Sequence, residues 1–293
     1  MELLGIDYIF ASHRRIYWLY ILNALVIAFV YMQFFQATKN EYKTRVIWWH
    51  KSAQLDYKYF FVSSLIKALL ILPFIISSKE ISLTLVLFLQ DTFGFMSAIK
   101  LSKELVVMLY TFTLFIMGDF TRYLLHRVMH TIPLLWKIHS VHHSAEVLNP
   151  LTFYRVHPIE NILFGLRYAL SVGIVTGIFI YLFGASIGLV EVIGVNIFVF
   201  ISGILGSNLR HSHIPLRYGD FLEKIFISPY QHQLHHSKEF THKNFGGTLA
   251  IWDLIFKSLH IEKTRTDIEY GTSVSYTTVT QMLLKPFYNG VKI

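Results

Sequence analysis

Between Tyr168 and Leu209 the chain carries a single charged side chain, Glu191. A bilayer crossing needs about 20 apolar residues, so this run is long enough for two. Gly184-Ala-Ser-Ile-Gly188 interrupts it, and the pattern predicts a hairpin of two membrane helices with Glu191 as an interfacial carboxylate near its turn. In lipid a helix is the simplest element that satisfies all its own backbone groups.

The rest of the chain agrees. Hydrophobic residues are 54% and charged residues 15% of the sequence, and mean hydropathy is +0.48, which is outside the range of ordinary soluble domains. No charge occurs from Ile16 to Thr38, a candidate first span, and a basic loop follows with Lys39, Lys43, Arg45, Lys51 and Lys58. Tyr59 to Ser77 reads as a second span interrupted by Lys67. Ile81 to Ala98, broken by Asp91 and Gly94, is able to span, re-enter or lie in the interface. Leu105 to Gly118 joins Asp119–His130 in one long helix. The positive-inside rule favours a non-spanning 81–98 segment, because the basic loop and the histidine-bearing side then share the cytoplasmic face.

The expectation is an all-α integral membrane protein with four to six membrane helices and an interfacial or cytoplasmic helical cap. It forms one domain, with N-terminal membrane helices over 1–118 and a site-bearing region over 119–293 that includes the hairpin at 168–209. The net charge of +8 flanks apolar runs, which marks interface anchors rather than a nucleic-acid surface. The chain has no cysteine, which excludes disulfides, thiolate zinc sites and cysteine-ligated haem. Its N-terminus lacks a basic leader and a small-residue cleavage site, so no cleaved signal peptide is expected.

Twelve of the 15 histidines fall between His126 and His242. His126 and His130 are spaced to share one helix face, as are His139, His142 and His143, and His232, His235 and His236 repeat the latter spacing. Neutral imidazole is a common ligand for zinc, copper, iron and nickel. One tetrahedral ion uses about four ligands, so these eight point to two metals. The bland alternative, histidines that merely pack or titrate at the surface, does not account for such bunching. Two crossings between His143 and His211 would also return the chain to the side it left, so all the boxes meet on one face.

At these residues the chain resembles the fatty acid hydroxylase/sterol desaturase superfamily of integral-membrane, non-haem di-iron proteins. The likeness covers roughly Asp119 to Phe256 and rests on DFTRYLLHRVMH, HSVHHSAEVLNPLTFYRVHPIE, NLRHSHIPL, HQLHHS and NFGGTLAIWD. At Phe256-Lys-Ser it departs from the Phe-Gly-Thr of many relatives. The resemblance implies two irons, with zinc an alternative occupant after purification, and molecular oxygen as co-substrate. It implies hydroxylation or desaturation of a membrane lipid, such as a sterol or fatty acyl chain. The eight box histidines match its ligands one by one, and His211 matches a further histidine and is expected as a ninth. His213 joins only if its segment is extended. His157 is expected behind the ligands or facing substrate. Asp119 either accepts a histidine ring N–H or pairs with Arg122 or another base.

No haem-binding H-P-G-G and no dinucleotide G-x-G-x-x-G occurs, so electrons are expected from a separate reductase, ferredoxin or cytochrome. The expected location is a bacterial inner membrane or endoplasmic reticulum, with the site facing the cytoplasm. The rival readings are a metal transporter or sensor without oxidative chemistry, and a bis-histidine haem anchor.

Overall fold

The computed structural model describes residues 5–34, 44–71, 77–184, 187–263 and 268–288. Its elements are α1 (Trp18–Phe34), α2 (Thr44–Trp48), α3 (Lys51–Ile66), α4 (Ser78–Phe93), α5 (Lys103–Thr131), α6 (Pro133–His143), α7 (Pro158–Phe183), a two-stranded hairpin of β1 (Glu191–Val192) and β2 (Val195–Asn196), α8 (Ile197–Ile204), α9 (Pro229–His235), α10 (Ile251–Ile255) and α11 (Val279–Tyr288). The chain is thus mostly helical.

Two helices, α5 and α7, are long and apolar enough to cross a membrane. At 1.5 Å per residue they measure about 44 and 39 Å, against a hydrocarbon core of about 30 Å. Along α7, Ile162, Leu166, Leu170, Ile174 and Ile178 are all about two-fifths exposed at a spacing of four residues. A one-sided apolar stripe of this length suits lipid, not water. These features mark a membrane protein.

α4 packs along α7 more extensively than any other pair of described elements. The contact is made by Gly173 and Gly177, one turn apart: a Cβ at Gly173 would stand 2.6 Å from Cβ of Ile81, and one at Gly177 would stand 3.0 Å from Leu85. Small residues at i and i+4 let two helix backbones approach closely. Because Ile81 pairs with Gly173 and Leu85 with Gly177, the two helices run in the same direction. Gly94 ends α4 at φ 79°.

This changes the expected topology of the N-terminal half. The helix expected over Tyr59–Ser77 starts earlier, at Lys51, and widens into a π turn at Lys67–Ile71. Its buried face carries Asp56, which accepts from Arg155 at 2.8 Å and from Thr152 and Asn149. Tyr59 donates to Val156 O at 3.0 Å. α3 is therefore fastened to the histidine region instead of standing alone in lipid. α4 lies beside a helix of spanning length, but at 16 residues it is not itself among the described helices long enough to cross. With α3 on the site side and α4 leaving it, the basic residues Lys51 and Lys58 still share that side. The calls on residues 35–43 and 72–76 lie outside the described residues.

The second arm of the expected hairpin also differs. α7 forms the first arm, but α8 is only eight residues long, about 12 Å, too short to span. The return begins as a β-hairpin held to the middle of α5, where Val190 N–H donates to Thr111 Oγ1 at 2.9 Å and Asn196 Nδ2 to Thr111 O at 3.0 Å. Gly194 in the turn, at φ 75°, and the β-branched Val192 and Val195 on either side of it, favour this break over a continuous helix. Ala185 and Ser186, within the expected break, lie outside the described residues.

Candidate metal centre

Four elements converge at the inner end of α5. His126 and His130 sit in its last turns. Pro133 then forces Ile132 into an extended conformation, φ −90° and ψ 118°, which ends α5 and turns α6 back beside it. α9 brings His232, His235 and His236, and the 3-10 turn Ser207–His211 brings His211.

The nine imidazoles form two groups. His126, His130, His139, His143 and His235 are one; His142, His211, His232 and His236 are the other. Within each, one ring nitrogen per residue lies within 4.8 Å of all the rest. The box spacing explains the division. Residues at i and i+4 share a face, so His139 and His143 join the first group and His232 and His236 the second. The intervening His142 and His235 are turned about 100° from their neighbours and cross to the opposite group. His143 and His236 stack at 4.5 Å where the groups meet.

Inside the first group, Nε2 of His126 is 3.1 Å from Nε2 of both His139 and His235. In the second, Nε2 of His211 is 3.4 Å from that of His142 and 3.3 Å from that of His232. Ligands about 2.0–2.1 Å from one tetrahedral ion are spaced about 3.3 Å apart, so the gaps match a shared cation. Both ring nitrogens of His130, His143 and His236 are buried without a hydrogen-bond partner. Each such atom costs about 1–3 kcal/mol if left unpaired, and a metal ion removes that cost at the one nitrogen per ring that ligates it. Burial, and after it repulsion by neighbouring imidazoles, holds His142, His143, His232 and His236 well below the ordinary histidine value. Burial and the Arg15 charge do the same at His211, and burial takes His235 to about 3. Neutral rings keep their lone pairs for a cation.

The outer nitrogens are anchored. His126 Nδ1 donates to Phe245 O at 2.8 Å, His235 Nδ1 to Lys243 O at 2.7 Å and His139 Nδ1 to Glu160 Oε1 at 2.9 Å. Such partners fix the tautomer that leaves Nε2 free to ligate. Asp253 holds the loop that provides one of them, accepting from Phe245 N at 2.9 Å and Gly246 N at 2.7 Å. The rings of Trp136 and Phe245 cover the first group from either side.

Asp119 does not meet a histidine, nor does it pair with Arg122 within salt-bridge distance. It accepts from Thr248 N at 2.7 Å, Leu249 N at 3.0 Å and Trp252 Nε1 at 3.0 Å, tying the loop after the third box to α5. His157 is not behind the ligands either. Its Nδ1 caps α7 through Ile159 N, and its Nε2 donates to Leu283 O at 3.1 Å. The position behind a ligand belongs to Glu160, three residues on, because the first turn of α7 aims that residue at α6. His213 accepts from Leu148 N at 3.3 Å and stands outside both groups. His242 touches the edge of the first group through His130 and Trp136 without joining it.

The fatty acid hydroxylase family model matches residues 111–258, a span that contains all nine clustered histidines. Over 147 residues, half of the chain, the sequence is 29% identical to ornithine lipid hydroxylase of Rhizobium tropici, covering 40% of that protein. It is 29% identical over 169 residues, or 57% of the chain, to alkylglycerol monooxygenase of Caenorhabditis elegans, covering 30% of that protein. With the Homo sapiens alkylglycerol monooxygenase it shares 26% identity over 162 residues, 55% of the chain and 32% of that protein. The matched region thus spans less than half of each relative's length. No solved structure matches the chain.

Proposed function

Because the chain belongs to the fatty acid hydroxylase family, we propose that it is a membrane-embedded, oxygen-dependent hydroxylase of a lipid, with two iron ions held by its histidine groups. The observation that carries this is the division of nine imidazoles into neighbouring sets of five and four, with no carboxylate in either. The relatives named above are a hydroxylase and monooxygenases, which favours insertion of oxygen over desaturation.

His126, His130, His139, His143 and His235 would hold one ion, and His142, His211, His232 and His236 the other. Bound iron would supply the redox chemistry needed to activate oxygen, which no side chain possesses. The chain's own residues prepare the site. Glu160 and the carbonyls of Phe245 and Lys243 orient the rings. Trp136 and Phe245 exclude water, and the shorter ligand set leaves the His142–His236 group the less saturated. α5 and α7 connect that site to lipid, so an apolar substrate enters sideways from the bilayer. The boxes face the cytoplasm in this reading, where a separate reductase, ferredoxin or cytochrome delivers electrons.

The test is turnover of a total membrane-lipid extract by purified, iron-loaded protein with a chemical or enzymatic electron source under oxygen-18 gas. A lipid product carrying the heavy isotope from the gas is expected. Conversion that proceeds without oxygen, or a product labelled only from water, overturns the reading.

A further inference from the structure

Beside the four-histidine group lie three arginines that the metal centre does not use. Arg15 donates to Ser207 O at 2.8 Å, and Arg210, in the same Ser207–His211 turn, donates to Ile227 O at 3.1 Å and to Gly247 O. Gly247 is also packed on Arg122: a Cβ there would stand 2.8 Å from Arg122 Cδ and 3.2 Å from its Nε. Arg15, Arg210 and Arg122 thus form a continuous cationic wall joined through two short stretches of backbone. Arg210 is buried, whereas Arg15 and Arg122 keep partial access.

This wall is under-neutralised: three guanidinium groups stand against one close carboxylate, Asp119, which meets the same face of Gly247 as Arg122. Among the described residues, carboxylates lie within 4.0 Å of Arg155 and Arg217, but of none of Arg15, Arg122 and Arg210. The nearby acids make their hydrogen bonds to other groups, Asp119 to the Thr248–Trp252 loop and Glu160 to His139, so neither pairs directly with a guanidinium of the wall. Arg122 donates no hydrogen bond to any described residue. Burial, followed by the like charges of Arg210 and Arg122, draws the Arg15 guanidinium well below its ordinary value. Gathering like charges away from water is costly unless an anion joins them. The remaining walls are aromatic, with the Phe153 ring 4.9 Å from the Arg15 guanidinium and Phe164 5.9 Å from that of Arg122.

We propose that Arg15, Arg122 and Arg210 bind the anionic headgroup, a phosphate or carboxylate, of the lipid substrate. A cationic wall framed by aromatic rings at the foot of apolar helices matches an amphiphile's charged end. Guanidinium donors recognise such oxyanions through paired, charge-assisted hydrogen bonds. The geometry also limits which carbon reacts. Arg210 adjoins His211, and Arg122 lies about 6 Å along α5 from His126. A headgroup held there presents carbons within a few bonds of itself to the metal centre and leaves the chain end out in the bilayer. The inference rests on the lipid-hydroxylase reading for the word substrate, but the site is testable by binding alone.

Iron-loaded, full-length protein in neutral detergent is mixed with a radiolabelled 1-alkylglycerol 3-phosphate or with the 1-alkylglycerol of equal chain length, and bound lipid is counted after gel filtration. Wild type should prefer the phosphate form by about tenfold or more, as two charge-assisted hydrogen bonds allow. Arg122→Gln should erase most of that preference, while Arg122→Lys retains part of it. Metal content and melting temperature identify any variant that has misfolded, and Arg15→Gln provides a second neutralisation. Equal binding of the two lipids by wild type, or an intact preference in folded Arg122→Gln and Arg15→Gln, overturns the site. Inorganic phosphate that binds as tightly as the phospholipid would assign the site to free anion and also overturn it. A retained preference in protein that oxidises no lipid would support the site while the hydroxylase reading fails.

Discussion

Glu160 grips His139 by its outer nitrogen, 2.9 Å from carboxylate to Nδ1, with both side chains buried. The pair joins the first turn of α7 to the middle of α6, so a membrane helix sets the angle of a metal-facing ring. Glu160→Ala leaves the His139 N–H unpaired and the ring free to turn. Partners of this kind are worth about 10–100-fold in metal affinity, so chelator competition should show a loss of that size. Glu160→Gln retains an acceptor oxygen and should lose less. Equal affinity in wild type and Glu160→Ala would mean that the carboxylate has no orienting role.

Two adjacent glycines carry the loop behind the third box. A Cβ at Gly246 would stand 2.5 Å from Leu249 O and 2.7 Å from Ile227, and one at Gly247 would meet Arg122 and Asp119. Neither site has room without moving backbone, or the Asp119 contacts that hold Thr248 and Leu249. Gly246→Ala should cost stability on the scale of core overpacking, about 1–3 kcal/mol, read as a lower melting temperature. It should also weaken metal retention, because Phe245 O holds His126. A variant with wild-type melting and metal content would show that the loop tolerates displacement.

The metal-free protein should be acid-sensitive. In the unfolded chain a histidine titrates near about 6.5, whereas burial holds His142, His143, His232 and His236 well below that value and takes His235 to about 3 and His213 to about 4 in the fold. Below about pH 6.5 the unfolded state therefore binds more protons than the folded one, and stability falls as pH falls. Above it the contribution is fully present. Melting curves of chelator-treated protein from pH 8 to pH 5 should shift downward only in the lower part of that range. A flat profile would contradict neutral, buried rings.

The site was far more legible in the sequence than the topology. Helical spacing places His139 and His143 on one face, and the same geometry decides which group each ring joins, so the nine histidines expected as ligands are the nine that cluster. Asp119 was expected at a histidine ring or paired with a base such as Arg122, and His157, from its neighbours Arg155, Pro158 and Glu160, behind the ligands or facing substrate. Spacing fixes a face, not a partner: Asp119 faces the Gly247–Trp252 loop, and His157 caps its own helix. Glu160 was hidden because a carboxylate two residues past a proline gives no sign of which helix it will meet. The membrane segments were less legible where apolar composition was the only signal. In Tyr59–Ile66 one face, with Tyr59 and Phe60, packs inside the protein while Phe61, Val62 and Leu65 are exposed, and in the 197–204 stretch Gly203 is buried while Val199 and Ile201 are exposed. Composition cannot distinguish lipid from protein as the neighbour.

The division into five and four makes the sharpest test of the metal centre. His126→Ala or His130→Ala removes a ligand from the first group, and His211→Ala or His232→Ala removes one from the second. Insertion depends on the apolar helices, which these changes leave alone. His211→Ala or His232→Ala leaves three ligands where a tetrahedral ion needs about four, and should lower metal content from about two ions per chain to about one. His126→Ala or His130→Ala leaves four and should only loosen the other ion, read as faster loss to a chelator. His126→Ala with His130→Ala should remove the first ion, His211→Ala with His232→Ala should do no more than either alone, and the first pair joined with His211→Ala should remove both ions. This pattern is the signature of residues acting as two separate units. His13→Ala is the control, because that side chain is exposed and belongs to neither group. His50 would serve poorly, since its ring caps α3 through Ser52 N. Elemental analysis of the purified variants, with melting curves to confirm the fold, reads the outcome directly. Complete metal loss from every single substitution would merge the two groups into one cooperative site, and unchanged content even in the combined variants would remove the histidines from metal binding altogether.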